Sequence, residues 1–154
     1  MSETYTQLYA HIIFSVKNNE SFITPDREDT IYECLSEIIE QNGHHTLIID
    51  GTANHVHMLV KLNPANSISD TVREVKRQSS FFINHHLLQK PTFHWQEGYT
   101  AFSHTRSQIN TVYKYIEKQK EYHSKRNFHE EYLDLANLAE EETLNENIFK
   151  YKHQ

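Results

Sequence analysis

Two apolar segments separated by a short turn constrain the fold of this 154-residue chain more than any other feature. Residues 45–50 (HTLIID) and 55–62 (HVHMLVKL) are rich in β-branched and large apolar side chains, and a turn around Gly51 joins them. Short runs of this composition on either side of a glycine turn are typical of two strands that pair as a β-hairpin. The sequence therefore predicts a sheet with at least one antiparallel strand pair.

Strand and helix patterns alternate along the rest of the chain. A proline at position 25 with acidic residues in the following turn indicates a helix start, and Thr105 with Gln108 has the spacing of a capping box. The predicted elements are a strand at 5–16, a helix at 25–42, the two hairpin strands, a helix from 67 to about 88, one broken strand or two short strands within 93–103, a helix from 105 to about 124 and a helix at 129–140. Without repeats or a low-complexity linker, the order β-α-β-β-α-β-α-α predicts one compact α+β domain.

The composition excludes several classes of protein. A single cysteine, Cys34, rules out an internal disulfide framework and a cysteine-based zinc site. No apolar stretch approaches the ~18 residues that a membrane span needs, and the first residues lack the pattern of a signal peptide. We therefore expect a cytoplasmic protein in a reducing compartment, with no membrane partner.

The net charge of −6 argues at first against a nucleic-acid partner, but the charges are unevenly distributed. Residues 1–60 carry 2 basic and 9 acidic side chains, residues 61–127 carry 11 and 5, and residues 128–154 carry 2 and 7. The middle of the chain is therefore basic, at +6, between acidic flanks of −7 and −5. A local basic surface of this kind predicts salt-sensitive binding of nucleic acid by an acidic protein.

A pair of histidines on one predicted strand is the first candidate for chemistry. His55 and His57 are two residues apart, so in a strand both imidazoles project from the same face while Val56 faces the other way. Two histidines held in this way can bind one divalent metal. By itself the pattern also describes two half-exposed histidines without a role.

A tyrosine and a glutamine on a predicted helix are the second candidate. Tyr115 and Gln119 are four residues apart, so a helix would place the hydroxyl and the amide on one face. A tyrosine hydroxyl becomes a covalent nucleophile when it is deprotonated or aimed at a metal-polarised phosphate. The spacing alone leaves Tyr113 and Tyr122 as rival nucleophiles, and it also fits an ordinary helix with an exposed tyrosine.

In combination, the two motifs and the basic, aromatic segment between them resemble a known family. The resemblance is to the single-tyrosine HUH transposases of bacterial insertion sequences, the insertion sequence 200/605 group, and to their relatives associated with repetitive extragenic palindromes. It runs in order from about residue 5 to 131. The segments that carry it are NHVHMLV (54–60), VKRQSS (75–80), FHWQEGY (93–99), AFS (101–103), YIEKQ (115–119) and YH (122–123).

The resemblance implies a fold, a site and a reaction. The implied fold is a ferredoxin-like antiparallel sheet with helices packed on it, in a homodimer that acts on hairpin-bearing single-stranded DNA. His55, His57 and Gln119 are implied to bind a divalent metal, Mg²⁺ or Mn²⁺, whose oxygen and imidazole preferences suit these ligands. Tyr115 is implied to attack a DNA phosphate and form a 5′-phosphotyrosine link, which makes the protein a metal-dependent DNA transposase.

Basic side chains beside the two motifs are interpreted as phosphate contacts, with solvated helix faces as the alternative. These DNA-binding residues are Lys76, Arg77, Lys114 and Lys118. Residues 1–130 are assigned to the HUH domain, and residues 131–154 to a C-terminal helix and acidic tail that belongs to the same domain or to a dimer contact. Trp95 is expected in the core rather than stacked on a base. The pairs His44-His45 and His85-His86 are interpreted as surface residues without a role.

One departure from the family pattern and two other functions stay open. The family often carries two histidines after the glutamine helix, whereas here the first is Tyr122, followed by His123, so the role of this position is open. One other function is a domesticated protein that binds hairpin DNA without transposing it. The other is a replication or conjugation nickase, which the short chain and the single nucleophile make less favourable.

Overall fold

A computed structural model describes residues 3–121, and its centre is one antiparallel sheet of four strands in the order β2-β3-β1-β4. Three helices, α1 to α3, pack on this sheet. The strands are β1 (Tyr9–Ser15), β2 (His45–Gly51), β3 (His55–Lys61) and β4 (Thr100–His104), and the helices are α1 (Pro25–Gln41), α2 (Ile68–Phe82) and α3 (Ile109–Glu117). The sequential order β-α-β-β-α-β with this strand order is ferredoxin-like, so the predicted fold class is confirmed.

The two faces of the sheet carry different kinds of side chain. Successive residues of a strand point to opposite faces. In β1, Ala10, Ile12 and Phe14 join the hydrophobic core together with residues of α1 and α2. The alternate residues His11 and Ile13 point to the other face, which we call the histidine face because His55 and His57 of β3 also lie on it.

The predicted hairpin is confirmed, with a close turn between β2 and β3. The Thr52 N–H donates to the His55 carbonyl at 3.0 Å. Gly51 has no space for a side chain, since an added Cβ would lie 2.9 Å from Val56 Cα and closer still to the His55 carbonyl oxygen. The strand pairing shifts by one residue between Thr46 and Ile48 before it continues to the turn.

Helices α1 and α2 begin and end close to the predicted positions. Pro25 is the first residue of α1, and Gly43, just beyond its C-cap, has a φ of +88° that favours glycine. The Ser67 side chain accepts from the Asp70 N–H at 3.1 Å and caps α2. After α2 the chain continues as a π-helical turn, Ile83–Leu87, so the helical region ends where the sequence predicts.

The region predicted to hold one broken strand or two short strands contains an isolated bridge at Trp95 and the short strand β4. Trp95 forms an isolated antiparallel bridge with Val16 and is 7% exposed, which confirms its place in the core. Its ring meets those of Phe14 and Phe93 edge-on, at centroid distances of 4.8 and 4.9 Å. Its indole N–H donates to Ser79 Oγ at 2.9 Å.

Helix α3 lies against β2 and β3, and its ring contacts place it on the histidine face. The predicted capping box is present at Thr105, where the backbone N–H donates to Gln108 Oε1 at 2.9 Å, and a 3-10 turn precedes the α-helix. The helix predicted to run to about residue 124 is interrupted. α3 ends at Glu117, because Lys118 leaves the helical conformation with φ −100° and ψ 18°, and residues 119–121 are helical again.

The chain divides into two compact units, residues 1–119 and residues 120–154. Everything described below concerns the first unit. The predicted boundary at residue 130, the helix at 129–140, the tail at 131–154, and Tyr122 with His123 lie outside the described residues and stay predictions. Within residues 3–121, no helix is both long and apolar enough to cross a membrane.

Candidate active site

His55 begins β3 and is completely buried. Its Nδ1 lies 2.8 Å from Asn54 Oδ1 and 2.8 Å from Thr52 Oγ1. An amide oxygen only accepts, so Nδ1 carries the proton and donates. His55 Nε2 is therefore unprotonated in the neutral imidazole. The turn residues before β3 thus orient this imidazole with its second nitrogen facing the site.

Gln119 supplies an amide to the same nitrogen. Its side chain is fully buried, and its Oε1 lies 3.3 Å from His55 Nε2. In this orientation two lone pairs face each other, and Gln119 Nε2 has no hydrogen-bond partner among the described residues. Lys118 interrupts the helical conformation between Tyr115 and Gln119, and Gln119 is helical again after this break. The two residues therefore do not lie on one regular helix, although their spacing predicts it.

His57 is the second buried histidine of β3, and one of its ring nitrogens is unpaired. Nδ1 lies 2.7 Å from His11 Nε2, whereas the buried Nε2 has no hydrogen-bond partner within residues 3–121. Burial, followed by the neighbouring histidines His11 and His55, holds the pKa of His57 well below 6.5. His57 is therefore neutral at physiological pH, which is the form that binds a metal.

His11 is a site residue that the sequence analysis missed. It lies in the centre of β1, opposite Leu59 of β3, and is 1% exposed. Burial, with a smaller effect from His104, lowers its pKa to about 3. The sequence signal was a polar residue between apolar neighbours, since His11 lies between Ala10 and Ile12. Only the pairing of β1 with β3 shows that this residue reaches His57.

Tyr115 lies over the histidine pair formed by His57 and His11. Its ring centroid is 5.8 Å from that of His57 and 6.2 Å from that of His11, and both rings meet it edge-on. Tyr113 is two residues earlier on α3, so it faces away from the sheet when Tyr115 faces it, and it is 39% exposed. Of these two candidate nucleophiles, the geometry favours Tyr115.

The donor set fits a hard divalent cation. Within the described range, no three His, Cys, Asp or Glu side chains form a metal-binding cluster, so the available ligands are two imidazole nitrogens and one amide oxygen. His57 Nε2 is buried without a partner, and the lone pairs of His55 Nε2 and Gln119 Oε1 face each other. A cation at this place would satisfy all three, with water and phosphate oxygens as further ligands.

The four predicted DNA-binding residues lie on two different faces of the sheet. Lys114 and Lys118 are exposed on and just after α3, on the histidine face. Lys76 and Arg77 belong to α2, which packs on the apolar face, so the structure does not bring them to the histidine pair. Arg77 forms an ion pair with Glu74 at 2.7 Å.

Lys76 and Arg77 border a groove of about 470 Å³ between α2 and residues 94–99. The Lys76 ammonium donates to the Gln96 carbonyl at 2.7 Å and to the Gly98 carbonyl, and burial lowers its pKa. Lys76 therefore anchors the segment before β4. Tyr99, at 42% exposure, is an exposed aromatic residue on the wall of this groove.

The expectation that both members of the pair His44-His45 are surface residues is wrong for His44. His44 is 3% exposed, and its Nδ1 accepts from the Asn63 N–H at 2.9 Å. Its Nε2 lies 2.7 Å from the Thr71 hydroxyl, so it connects the end of β3 to α2. His45, His85 and His86 are exposed, as expected.

A ferredoxin-like sheet with a His-x-His strand faced by a tyrosine and a glutamine defines the class of this protein as an HUH-type α+β domain. Comparison with known proteins gives the family. Residues 4–119 match the family model of IS200-like transposases. The chain is also 30% identical over 121 residues to the ISDra2 transposase TnpA of Deinococcus radiodurans. This match covers 73% of this chain and 84% of that protein. This chain belongs to the IS200-like transposase family.

Two solved structures share the fold. One is a protein of Deinococcus radiodurans R1 named as a transposase, with a TM-score of 0.60 and 23% identity, covering 77% of this chain and 98% of that chain. The other is a REP-associated tyrosine transposase bound to a REP hairpin, with a TM-score of 0.60 and 16% identity, covering 80% and 74% of the two chains. The predicted family and fold are confirmed.

Proposed function

We propose that this transposase cleaves and rejoins single-stranded DNA, with Tyr115 as the nucleophile and a divalent cation held by His55, His57 and Gln119. The observation that carries the proposal is the position of Tyr115, whose ring lies 5.8 Å from that of His57, the histidine with a buried and unpaired Nε2. A nucleophile beside an unsatisfied metal-ligand nitrogen is the arrangement that phosphoryl transfer needs.

The reaction follows from the chemistry of these groups. The phenolic oxygen of Tyr115 loses its proton to water and forms a bond to phosphorus, and the bond from phosphorus to the 3′ oxygen breaks. That oxygen takes up a proton and becomes a free 3′-hydroxyl, while the 5′ phosphate stays on the tyrosine. When bound, Mg²⁺ or Mn²⁺ polarises the phosphate and offsets its developing charge. Because the phosphotyrosine retains a diester bond, a 3′-hydroxyl can reverse the step and rejoin DNA.

The proposed partner is hairpin-bearing single-stranded DNA, bound by a homodimer in the cytoplasm. A fold relative bound to a hairpin supports this partner. We propose that Lys114 and Lys118 contact phosphates near the scissile bond, and that Lys76 and Arg77 contact them along the groove beside α2. The catalytic domain is proposed to end near residue 130, and residues 131–154 to pack on it or on the second protomer.

The test of the nucleophile is a covalent adduct. Incubation with end-labelled hairpin DNA and Mg²⁺ or Mn²⁺ should give an SDS-resistant complex that carries the label of the 3′ end of the substrate, whereas the 5′ end label should leave on the strand with the free 3′-hydroxyl. Tyr115→Phe should abolish the adduct, because it removes the attacking oxygen and keeps the ring. Tyr113→Phe is the matched control, on the same helix but on its exposed side, and should still form the adduct.

An adduct with Tyr115→Phe but not with Tyr113→Phe would show that the nucleophile is misassigned. Hairpin binding without an adduct, across several hairpins and both metals, would favour a domesticated binding protein over a transposase.

The test of the metal ligands is Mn²⁺ binding in the absence of DNA. His57→Ala should reduce Mn²⁺ affinity to the limit of detection, because it removes a buried ring nitrogen beside Tyr115 that has no hydrogen-bond partner among the described residues. His45→Ala is the control, since His45 is an exposed histidine at the start of β2. Equal Mn²⁺ affinities of the His57→Ala and wild-type proteins in isothermal titration would exclude His57 as a ligand.

A further inference from the structure

A buried pair of histidines connects the centre of β1 to the proposed metal site. His11 Nε2 and His57 Nδ1 lie 2.7 Å apart, and both residues are at most 1% exposed. We propose that His11 is a positioning residue that holds His57 in the one tautomer that can bind a metal through Nε2. The inference rests on the metal part of the proposed function, and it assigns a task to a residue outside the ligand set.

The tautomer follows from the hydrogen bond. A neutral imidazole carries one proton, so a contact of 2.7 Å between two ring nitrogens needs one donor and one acceptor. Two arrangements satisfy this rule. If His11 donates, His57 carries its proton on Nε2 and cannot bind a metal there. If His57 donates from Nδ1, its Nε2 is unprotonated, and the lone pair of that nitrogen faces the site.

The surroundings of His57 favour the second arrangement. In the first, an Nε2–H would be buried without an acceptor among the described residues, which costs about 1–3 kcal/mol. In the second, the lone pair is ready for a cation. Metal-binding histidines commonly donate their other N–H to a fixed acceptor, which orients the ring and makes the ligand more basic.

His11 is well suited to be that acceptor because its ring is fixed on several sides. Strand β1 is paired on both edges, with β3 and with β4. The ring of His11 lies 6.2 Å from that of Tyr115, 6.4 Å from that of Phe102 and 6.2 Å from that of His104. The acceptor therefore lies on an inner strand of the sheet, with hydrogen-bonded neighbours on both edges.

Two measurements test the proposal. The first is the tautomer of His57 in the metal-free protein, read from the ¹⁵N shifts of its ring nitrogens. We expect Nδ1 protonated and Nε2 unprotonated in the wild type. In His11→Leu, which removes the acceptor and retains apolar bulk, we expect the proton of His57 to move to Nε2 in part or in full.

The second measurement is Mn²⁺ affinity by isothermal titration. We expect His11→Leu to weaken binding by ~10–100-fold, which is the usual effect of losing such a partner. His11→Gln keeps an acceptor at the place of Nε2 and should restore most of the affinity. Ile13→Val, on the same face of β1, is the packing control and should bind Mn²⁺ as the wild type does.

The outcomes separate this inference from the proposed function. An Nε2-protonated His57 in the wild type, or an unchanged Mn²⁺ affinity in a folded His11→Leu protein, would overturn the role of His11 even if DNA cleavage is normal. If Tyr115 forms no adduct with DNA but the tautomer and the Mn²⁺ affinity change as expected, the positioning role stands and the proposed reaction fails. If His11→Leu does not fold, two measurements still decide whether His11 positions His57. They are the tautomer of His57 in the wild type and the Mn²⁺ affinity of His11→Gln.

Discussion

His44 shows how a single buried side chain can be fixed in one protonation state by its partners. The Thr71 hydroxyl donates to the Ser67 carbonyl at 2.9 Å, so its oxygen is free to accept from His44 Nε2–H. The other nitrogen, Nδ1, accepts from the Asn63 N–H. Both nitrogens are therefore used by the neutral imidazole, and protonation of Nδ1 would break the bond to Asn63.

This arrangement predicts a pH dependence of stability. Burial lowers the pKa of His44 in the folded state below 6.5, whereas the unfolded chain titrates near 6.5. Below that pH the unfolded state binds more protons, so the contribution of His44 to stability is complete above 6.5 and decreases as the pH falls. Urea unfolding at pH 7 and pH 5 should show a smaller loss of stability in His44→Gln than in the wild type. An equal loss in the two proteins would contradict this.

Ser79 supports the tryptophan of the core, and its removal should be costly. Ser79 Oγ accepts from the Trp95 indole N–H at 2.9 Å, and both residues are buried. Ser79→Ala leaves that N–H without an acceptor, so we expect a loss of about 1–3 kcal/mol in the free energy of unfolding. Urea denaturation followed by the fluorescence of Trp95, the single tryptophan of the chain, measures this loss. Ser80→Ala, its half-exposed neighbour, should change stability by less than about 0.5 kcal/mol.

The sequence predicts the two histidines of β3 because their spacing matches the two-residue period of a strand. It does not predict His11, because nothing local to residues 9–15 shows that β1 lies beside β3. Gln119 lies beside His55, although it does not continue the helix of Tyr115 as the four-residue spacing predicts. The end of α3 at Glu117 depends on backbone conformation at Lys118, which the spacing of side chains does not report.

At the scale of elements, the β2-β3 turn determines where His55 stands. The turn has no space for a Cβ at Gly51, since it would meet the backbone of His55 and Val56. Gly51→Ala should therefore displace the start of β3 and lower stability by about 1–3 kcal/mol, as overpacking does elsewhere. We also expect it to weaken Mn²⁺ binding, because the ligand His55 moves with the backbone.

Thermal unfolding and Mn²⁺ titration of Gly51→Ala check this prediction. Gly98→Asn is the control for Mn²⁺ binding, because an added Cβ at Gly98 meets no atom within 4 Å. Its cost is limited to the strain of a positive φ, which asparagine adopts more readily than most other residues. Wild-type stability together with wild-type Mn²⁺ affinity in Gly51→Ala would show that the turn does not position the ligand.

The elements themselves were largely predictable, and their ends less so. Runs of β-branched, aromatic and apolar residues located the strands, apolar periodicity located the first two helices, and the capping box located the start of the third helical segment. The first strand begins at Tyr9 rather than at residue 5, since Tyr5 is 82% exposed and outside the sheet. β-branched and aromatic residues favour a strand, but hydrogen bonding to a neighbour decides where it begins.

At the scale of the whole molecule, the uneven charge predicts how DNA binding responds to salt. The net charge is −6, but the segment from residue 61 to 127 is at +6. Each phosphate contact to single-stranded DNA adds about −0.7 to the slope of log K against log salt concentration. We expect Lys114→Gln and Lys118→Gln each to make this slope shallower by about 0.7, in hairpin binding measured by fluorescence anisotropy.

Arg27→Gln is the matched control, since it removes one positive charge from the acidic helix α1. Its guanidinium lies over the Phe22 ring and donates to the Phe22 carbonyl, so we expect no phosphate contact there. An equal change of slope in Arg27→Gln would mean that the response follows overall charge rather than a local DNA surface.

The alternation of β1 between its apolar face and its histidine face has a consequence for how this chain can change over generations. A substitution in β1 alters one side chain. An inserted or deleted residue would turn every later side chain of the strand to the opposite face, so that His11 entered the core and Ile12 replaced it beside His57. In a library of single-codon insertions and deletions, length changes should therefore survive in loops such as residues 63–66 and be lost throughout residues 9–15.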